Sequence, residues 1–97
     1  MKQYYLILHT PGPAWIEGKG FQHQKLMDHG AYIHSLYQKG IAIEGGPFLD
    51  HSGGMVIVRV DDSAQAEDII HQDPAVKTGV FTAEARPWLR VDWETYG

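Results

Sequence analysis

Apolar positions recur along this chain in two rhythms. From Phe21 to Gly40, FQHQKLMDHGAYIHSLYQKG, the residues Leu26, His29, Ile33, Leu36 and Tyr37 fall within about 100° of one another at helical spacing. Lys25, Asp28, Ser35, Gln38 and Lys39 lie away from that stripe. The spacing predicts one long amphipathic helix with Gly40 as its stop signal. Strand rhythm governs other stretches. Tyr4 to His9 is a compact apolar run bounded by Thr10-Pro11-Gly12-Pro13, which predicts a buried strand ending in a turn. Ile41 to Phe48 predicts a second strand. Pro47, following Gly45-Gly46, has no N–H to donate and marks an edge or a strand end. Leu49 to Gly53 forms a hairpin-like loop, and Met55 to Val60 a third strand. In it Val56, Val58 and Val60 point one way while Met55, Ile57 and Arg59 point the other.

Past that strand, Asp61-Asp62-Ser63 offers N-caps, and Asp62 with Gln65 resembles a capping box. A short helix is expected over Ala64–His71. Gln72-Asp73-Pro74 breaks it, because a residue before proline avoids helical geometry. Ala75–Gly79 reads as one more irregular turn, Val80–Arg86 as the fourth strand interrupted at Pro87, and Trp88–Trp93 as a continuation or tail. Ala14–Gly20 is a connector whose Trp15 packs over the start of the long helix. The order is β-α-β-β-α-β, an α+β, ferredoxin-like single domain over residues 1–97. Two helices cover one face of four strands, and the other face also carries apolar side chains. A bare face of that kind predicts a homodimer packed sheet to sheet, or a higher homo-oligomer, with Trp88–Trp93 crossing to the partner.

Composition narrows the function. A chain of 97 residues buries only somewhat more than ~60% of its unfolded surface, so association is an expected source of stability. A net charge of −4 and a pI near 5.8 argue against nucleic acid, which needs a basic face. No run reaches the ~18 apolar residues of a membrane span, and MKQYYLILHTPG lacks the cleavage site of a signal peptide. Without cysteine there are no disulfides, thiolate nucleophiles or Cys-based zinc sites; the expected home is the cytoplasm.

The chemistry concentrates at His29, the one titratable group inside an apolar stripe. In this topology the first two strands run parallel and the other two run against them. The end of strand one, the start of the long helix, the loop after strand two and the end of the short helix therefore share one rim. That gathers His9, the first turns of the long helix, Gly45–Gly54 and Asp73–Gly79. His29, counted from Phe21, lies roughly 9–12 Å along the helix, near that rim. With Asp50 and Asp73 on nearby loops, the ingredients of a His–Asp pair are present, in which a carboxylate fixes the imidazole tautomer. Blander roles compete. A histidine on an apolar face is more often a hydrogen-bonded core residue, Asp50 a turn former, Asp73 a helix-end residue, and Glu44, His51 and His71 solvated groups. The helix histidines do not form a metal site: His29 and His34 are about 140° apart, and His23 and His34 about 16 Å apart. No metal and no cofactor is expected. Gly45-Gly46 and Gly53-Gly54 lack the spacing of a phosphate loop, and Ser52 and Ser63 the context of a nucleophile.

One set of motifs is more specific. His29 with Leu36 and Gly40, then Gly46-Pro47-Phe48 with Asp50, then Asp73-Pro74-Ala75-Val76 with Gly79-Val80, and a closing Arg86-Pro87-Trp88 make the chain resemble the YCII-related family. The resemblance covers essentially the whole chain. It implies a ferredoxin-like protomer in a sheet-to-sheet dimeric α+β barrel, sometimes built into rings. It also implies a His–Asp site, carried by His29 and most naturally by Asp73. By fold the family is related to muconolactone isomerase, and one member is a dehydrochlorinase of a hydroxylated chloroaromatic. The expected function is acid–base chemistry on a small cyclic or aromatic molecule of lactone, phenol or enol type. Gly46, Pro47, Phe48, Asp50, His9 and Trp15 are expected around the ligand. The competing expectation is a non-catalytic ligand-binding or assembly module.

Overall fold

The computed structural model describes residues 1–97. In chain order it contains β1 (Gln3–Pro11), a 3-10 turn (Phe21–His23), α1 (Met27–Gln38), β2 (Ala42–Pro47), β3 (Gly54–Val60), α2 (Ser63–Gln72), α3 (Pro74–Lys77) and β4 (Phe81–Trp88). The strands form one sheet in the order β2-β3-β1-β4, and every neighbouring pair is antiparallel. β1 and β2 therefore run one way and β3 and β4 the other, the α+β ferredoxin-like arrangement. No helix is long and apolar enough to cross a membrane.

Period-two alternation decides which side chains form the core. Tyr5 and Ile7 of β1 and Val56, Val58 and Val60 of β3 are buried with Leu36 of α1 and Ala66, Ile69 and Ile70 of α2. Each fully buried Val or Ile contributes about 1.5–3 kcal/mol relative to exposure. His9 is the next inward position after Tyr5 and Ile7, so the same alternation carries an imidazole to the core end of β1. On the opposite face Leu6 pairs with Ile57 and Leu8 with Met55.

The long helix is shorter than its periodicity suggests. It begins at Met27, not Phe21. No capping side chain precedes Phe21, and Gln24 has a use that requires extended backbone (φ −96°, ψ 160°). Its buried amide accepts from the Ile16 N–H at 2.7 Å and donates to the carbonyls of Ile16 at 3.0 Å and Lys19 at 3.2 Å. That fastens the Ala14–Gly20 connector where a first helical turn was expected. His29 accordingly stands in the first turn of α1 rather than two turns along it.

The buried stripe of α1 is also rotated, by roughly 40°, from Tyr37 toward Tyr32. Tyr37 is 63% exposed, whereas Tyr32 packs on the core. Tyr32 has an acceptor there: its hydroxyl donates to the Ile69 carbonyl at 2.8 Å. That carbonyl belongs to the last turn of α2, where no helical N–H follows to take it. Three smaller differences concern prolines. β1 runs on through Thr10 and Pro11, paired with Thr82 and Phe81. Pro74 opens α3 at its first position, giving a helical turn where an irregular one was expected. Pro87 lies inside β4, opposite Tyr5, because β4 is an edge strand and can spare one N–H.

Candidate functional site

Asp73 is the pivot of the rim. It ends α2 in the extended geometry expected before proline and caps α3, its Oδ1 accepting from the Ala75 N–H at 2.9 Å. It is 1% exposed. Its carboxylate meets two imidazoles. His29 Nδ1, from the first turn of α1, lies 2.7 Å from Oδ2 and 2.9 Å from Oδ1. His9 Nε2, from the end of β1, lies 3.4 Å from Oδ2, and His9 is 3% exposed. The imidazoles meet edge to face at 5.0 Å, and the Phe81 ring closes the group at 5.3 Å from each.

Electrostatics favour an ionised carboxylate. Burial pushes the Asp73 carboxyl upward, but hydrogen bonds from His29 and His9, the His29 charge and the Ala75 N–H outweigh it and bring it to about 2. Tyr32 borders the same charge: burial, then Asp73, push its phenol up to about 12.

Above these groups opens a cavity of about 330 Å³, at the small end of the ~300–1,000 Å³ range of ligand sites. His9, His29 and Phe81 share its lining with Leu26, Ile33 and Pro47, and with glycines from α1, β2 and the start of β3. No Lys, Arg, Asp or Glu lines it. His29 Nδ1 is engaged by Asp73, so its Nε2, which has no hydrogen bond within the chain, is the nitrogen available to a ligand.

Of the expected site residues, the structure brings together His29, Asp73 and His9, and places Gly46 and Pro47 on the cavity wall. Trp15, Phe48 and Asp50 do not line it. Trp15 stacks on Phe81 at 5.7 Å, behind the wall. Asp50 is exposed and bound to the hydroxyl and N–H of Ser52, which hold its carboxyl below the usual range. Phe81 was missed, although it opens β4 opposite Pro11, two positions beyond the pairing of His9 with Ala83.

A metal is conceivable by donor type. Donor atoms of His9, His29 and Asp73 all lie within 4.8 Å of one another, a combination that the spacings along the helix did not reveal. The distances fit hydrogen bonds better. Ligands of a tetrahedral zinc at ~2.0–2.1 Å stand roughly 3.3 Å apart, while His29 and Asp73 approach to 2.7 Å.

Fold and site together define a class: a ferredoxin-like α+β protein with a buried carboxylate holding two imidazoles at the floor of a small apolar cavity. The chain belongs to the YCII-related family, its residues 3–88 matching the YCII-related domain. Among solved structures it is similar to the 5-chloro-2-hydroxyhydroquinone dehydrochlorinase of Burkholderia phenoliruptrix AC1100, in complex with 2,5-dihydroxybenzoquinone. The TM-score is 0.68 and the identity 20%, covering 93% of this chain and 97% of that one. That likeness is one of fold. No match is found among curated proteins.

Proposed function

We propose that the chain is a small-molecule enzyme in which His29 acts as a general base and acid, oriented by Asp73. The observation that carries this reading is the bond from His29 Nδ1 to a buried, ionised Asp73, on a ring that borders the cavity. With Nδ1–H donating to the carboxylate, the lone pair of neutral His29 is on Nε2, facing the ligand. A C–H or O–H proton transferred to Nε2 leaves an imidazolium beside the Asp73 carboxylate, a charge pair in a site of low polarity. Returned to another atom of the same molecule, the proton completes an isomerisation. If a chloride instead departs with its bonding electrons, the result is dehydrochlorination. The cavity's size and apolar wall suit a lactone, phenol or enol-like molecule of one ring. The fold neighbour named above, a dehydrochlorinase with a six-membered ring bound, supports the same substrate class.

The protomer in this reading works as a homodimer. Tyr4, Leu6, Leu8 and Met55 lie partly exposed on the sheet face that carries no helix, and a second copy would cover them.

The reading is tested with His29→Asn, which nearly keeps the volume of the ring. The asparagine amide keeps an N–H donor for Asp73, so the fold is expected to survive with only part of the Asp73 stabilisation lost, while ligand binding or turnover collapses. A variant that melts yet binds normally in its folded fraction would place the site elsewhere.

A further inference from the structure

The proposed reaction uses one of the two imidazoles that meet Asp73. His9 is the other, a titratable side chain only 3% exposed, at the inward position that follows Tyr5 and Ile7 on β1. Its Nε2 lies 3.4 Å from Asp73 Oδ2. An ionised carboxylate can only accept, so the nitrogen facing it carries the proton, and the lone pair of neutral His9 is on Nδ1. Nδ1 has no hydrogen bond within the chain, yet no buried side-chain nitrogen or oxygen is left without a partner. Nδ1 therefore keeps contact with the cavity, whose lining includes His9. Buried polar atoms are almost always paired, so an acceptor held open on so deeply buried a ring requires a partner from outside the chain. His29 is arranged in the same way, with Nδ1 on Asp73 and Nε2 free. These two are the only side chains on the wall that carry a nitrogen or an oxygen. The wall thus offers two lone pairs and no side-chain donor.

We propose that Asp73 fixes both tautomers at once, making His9 a second acceptor beside His29, and that the site therefore selects a ring donating at two points. One proton is transferred to His29 Nε2, and an O–H elsewhere on the ring is held by His9 Nδ1. A carbonyl oxygen set against Nδ1 brings two acceptors together, and a methyl group there leaves Nδ1 unpaired. Among the one-ring molecules considered above, the site favours a dihydroxy ring over a lactone or a monophenol. The inference rests on the proposed acid–base site, because it takes the ring to be held beside His29.

The test titrates catechol, resorcinol and hydroquinone into the natural chain, each beside the cresol in which a methyl group replaces one hydroxyl at the same position. Binding is followed through the ring resonances of His9 and His29, with melting temperature as a check on the fold. At least one diol is expected to shift both rings and to bind roughly tenfold or more tighter than its cresol. Two variants then separate the nitrogens of His9. His9→Gln keeps an N–H at the place of Nε2 for Asp73 and removes the acceptor at Nδ1, so the preference for the diol should vanish while His29 still responds. His9→Asn keeps an oxygen near the place of Nδ1 and should retain much of that preference. If every diol and its cresol bind the natural chain alike at His29, His9 accepts nothing and the proposal is overturned while the His29 site stands. If His9→Gln preserves the preference, His9 serves Asp73 alone and the proposal again falls. If no probe shifts His29 in the natural chain, the acid–base site fails and the second acceptor with it. The diol–cresol comparison needs no substitution, so it decides the matter even where a variant unfolds.

Discussion

Replacing Asp73 by asparagine removes one negative charge while keeping an oxygen for the Ala75 N–H, so the cap of α3 survives and the charge is isolated. The magnitude follows from the carboxyl itself, held at about 2 against an ordinary 3.8. At about 1.4 kcal/mol per unit that difference is roughly 2 kcal/mol of stability. The sign is that of a depressed acid: the contribution is complete above pH ~4 and is lost as pH falls through about 2. In a domain whose total stability is of order 5–15 kcal/mol, the loss is easily measured. Urea unfolding at neutral pH and fixed protein concentration should show Asp73→Asn less stable by roughly 2 kcal/mol. Repeated at successively lower pH, the natural chain should lose that advantage and the two curves should converge. Curves that stay parallel down to pH ~2, or equal stabilities at pH 7, would refute an ionised Asp73 bonded to His29 and His9.

Three further outcomes are expected. Tyr32→Phe leaves the Ile69 carbonyl without its donor and should cost about 1 kcal/mol in urea unfolding; a neutral result would mean that water replaces the hydroxyl. Sedimentation at micromolar concentration should show at least a dimer, and a stable monomer there would mean that the helix-free sheet face needs no partner. Dialysis against a chelator should leave the melting temperature unchanged, whereas a fall reversed by zinc would assign His9, His29 and Asp73 to a metal.

Much of the rim could be read before any coordinates, for physical reasons that differ by residue. Asp73 was legible as a helix end because a proline follows it, while its choice over Asp50 as the partner of His29 came from the family resemblance, and its cap on α3 was not foreseen. His29 was legible because a polar ring in an apolar stripe needs a partner. His9 could be placed at the rim, but β1 is apolar on both faces, so its side of the sheet and its approach to Asp73 depend on how α2 ends over β1. The start of α1 was hidden because apolar spacing cannot see Gln24, whose amide turns the chain by bonding the Ile16 and Lys19 backbone. Choosing Tyr37 over Tyr32 had a similar cause. Periodicity ranks both as aromatic, and only the open Ile69 carbonyl separates them.

The two imidazoles are mounted on supports of opposite persistence. β1 lies between β3 and β4, so His9 hangs from a strand whose ladders on both sides must open before its amides exchange with solvent. His29 sits in the opening turn of α1, where Leu26 offers no side-chain cap and the first N–H groups lack helical partners. Slow exchange is therefore expected through Tyr5 to Ile7 and fast exchange across Met27 to His29. The contact between His29 and Asp73 thus joins an opening helical turn to a rim whose other imidazole is held by a strand paired on both sides.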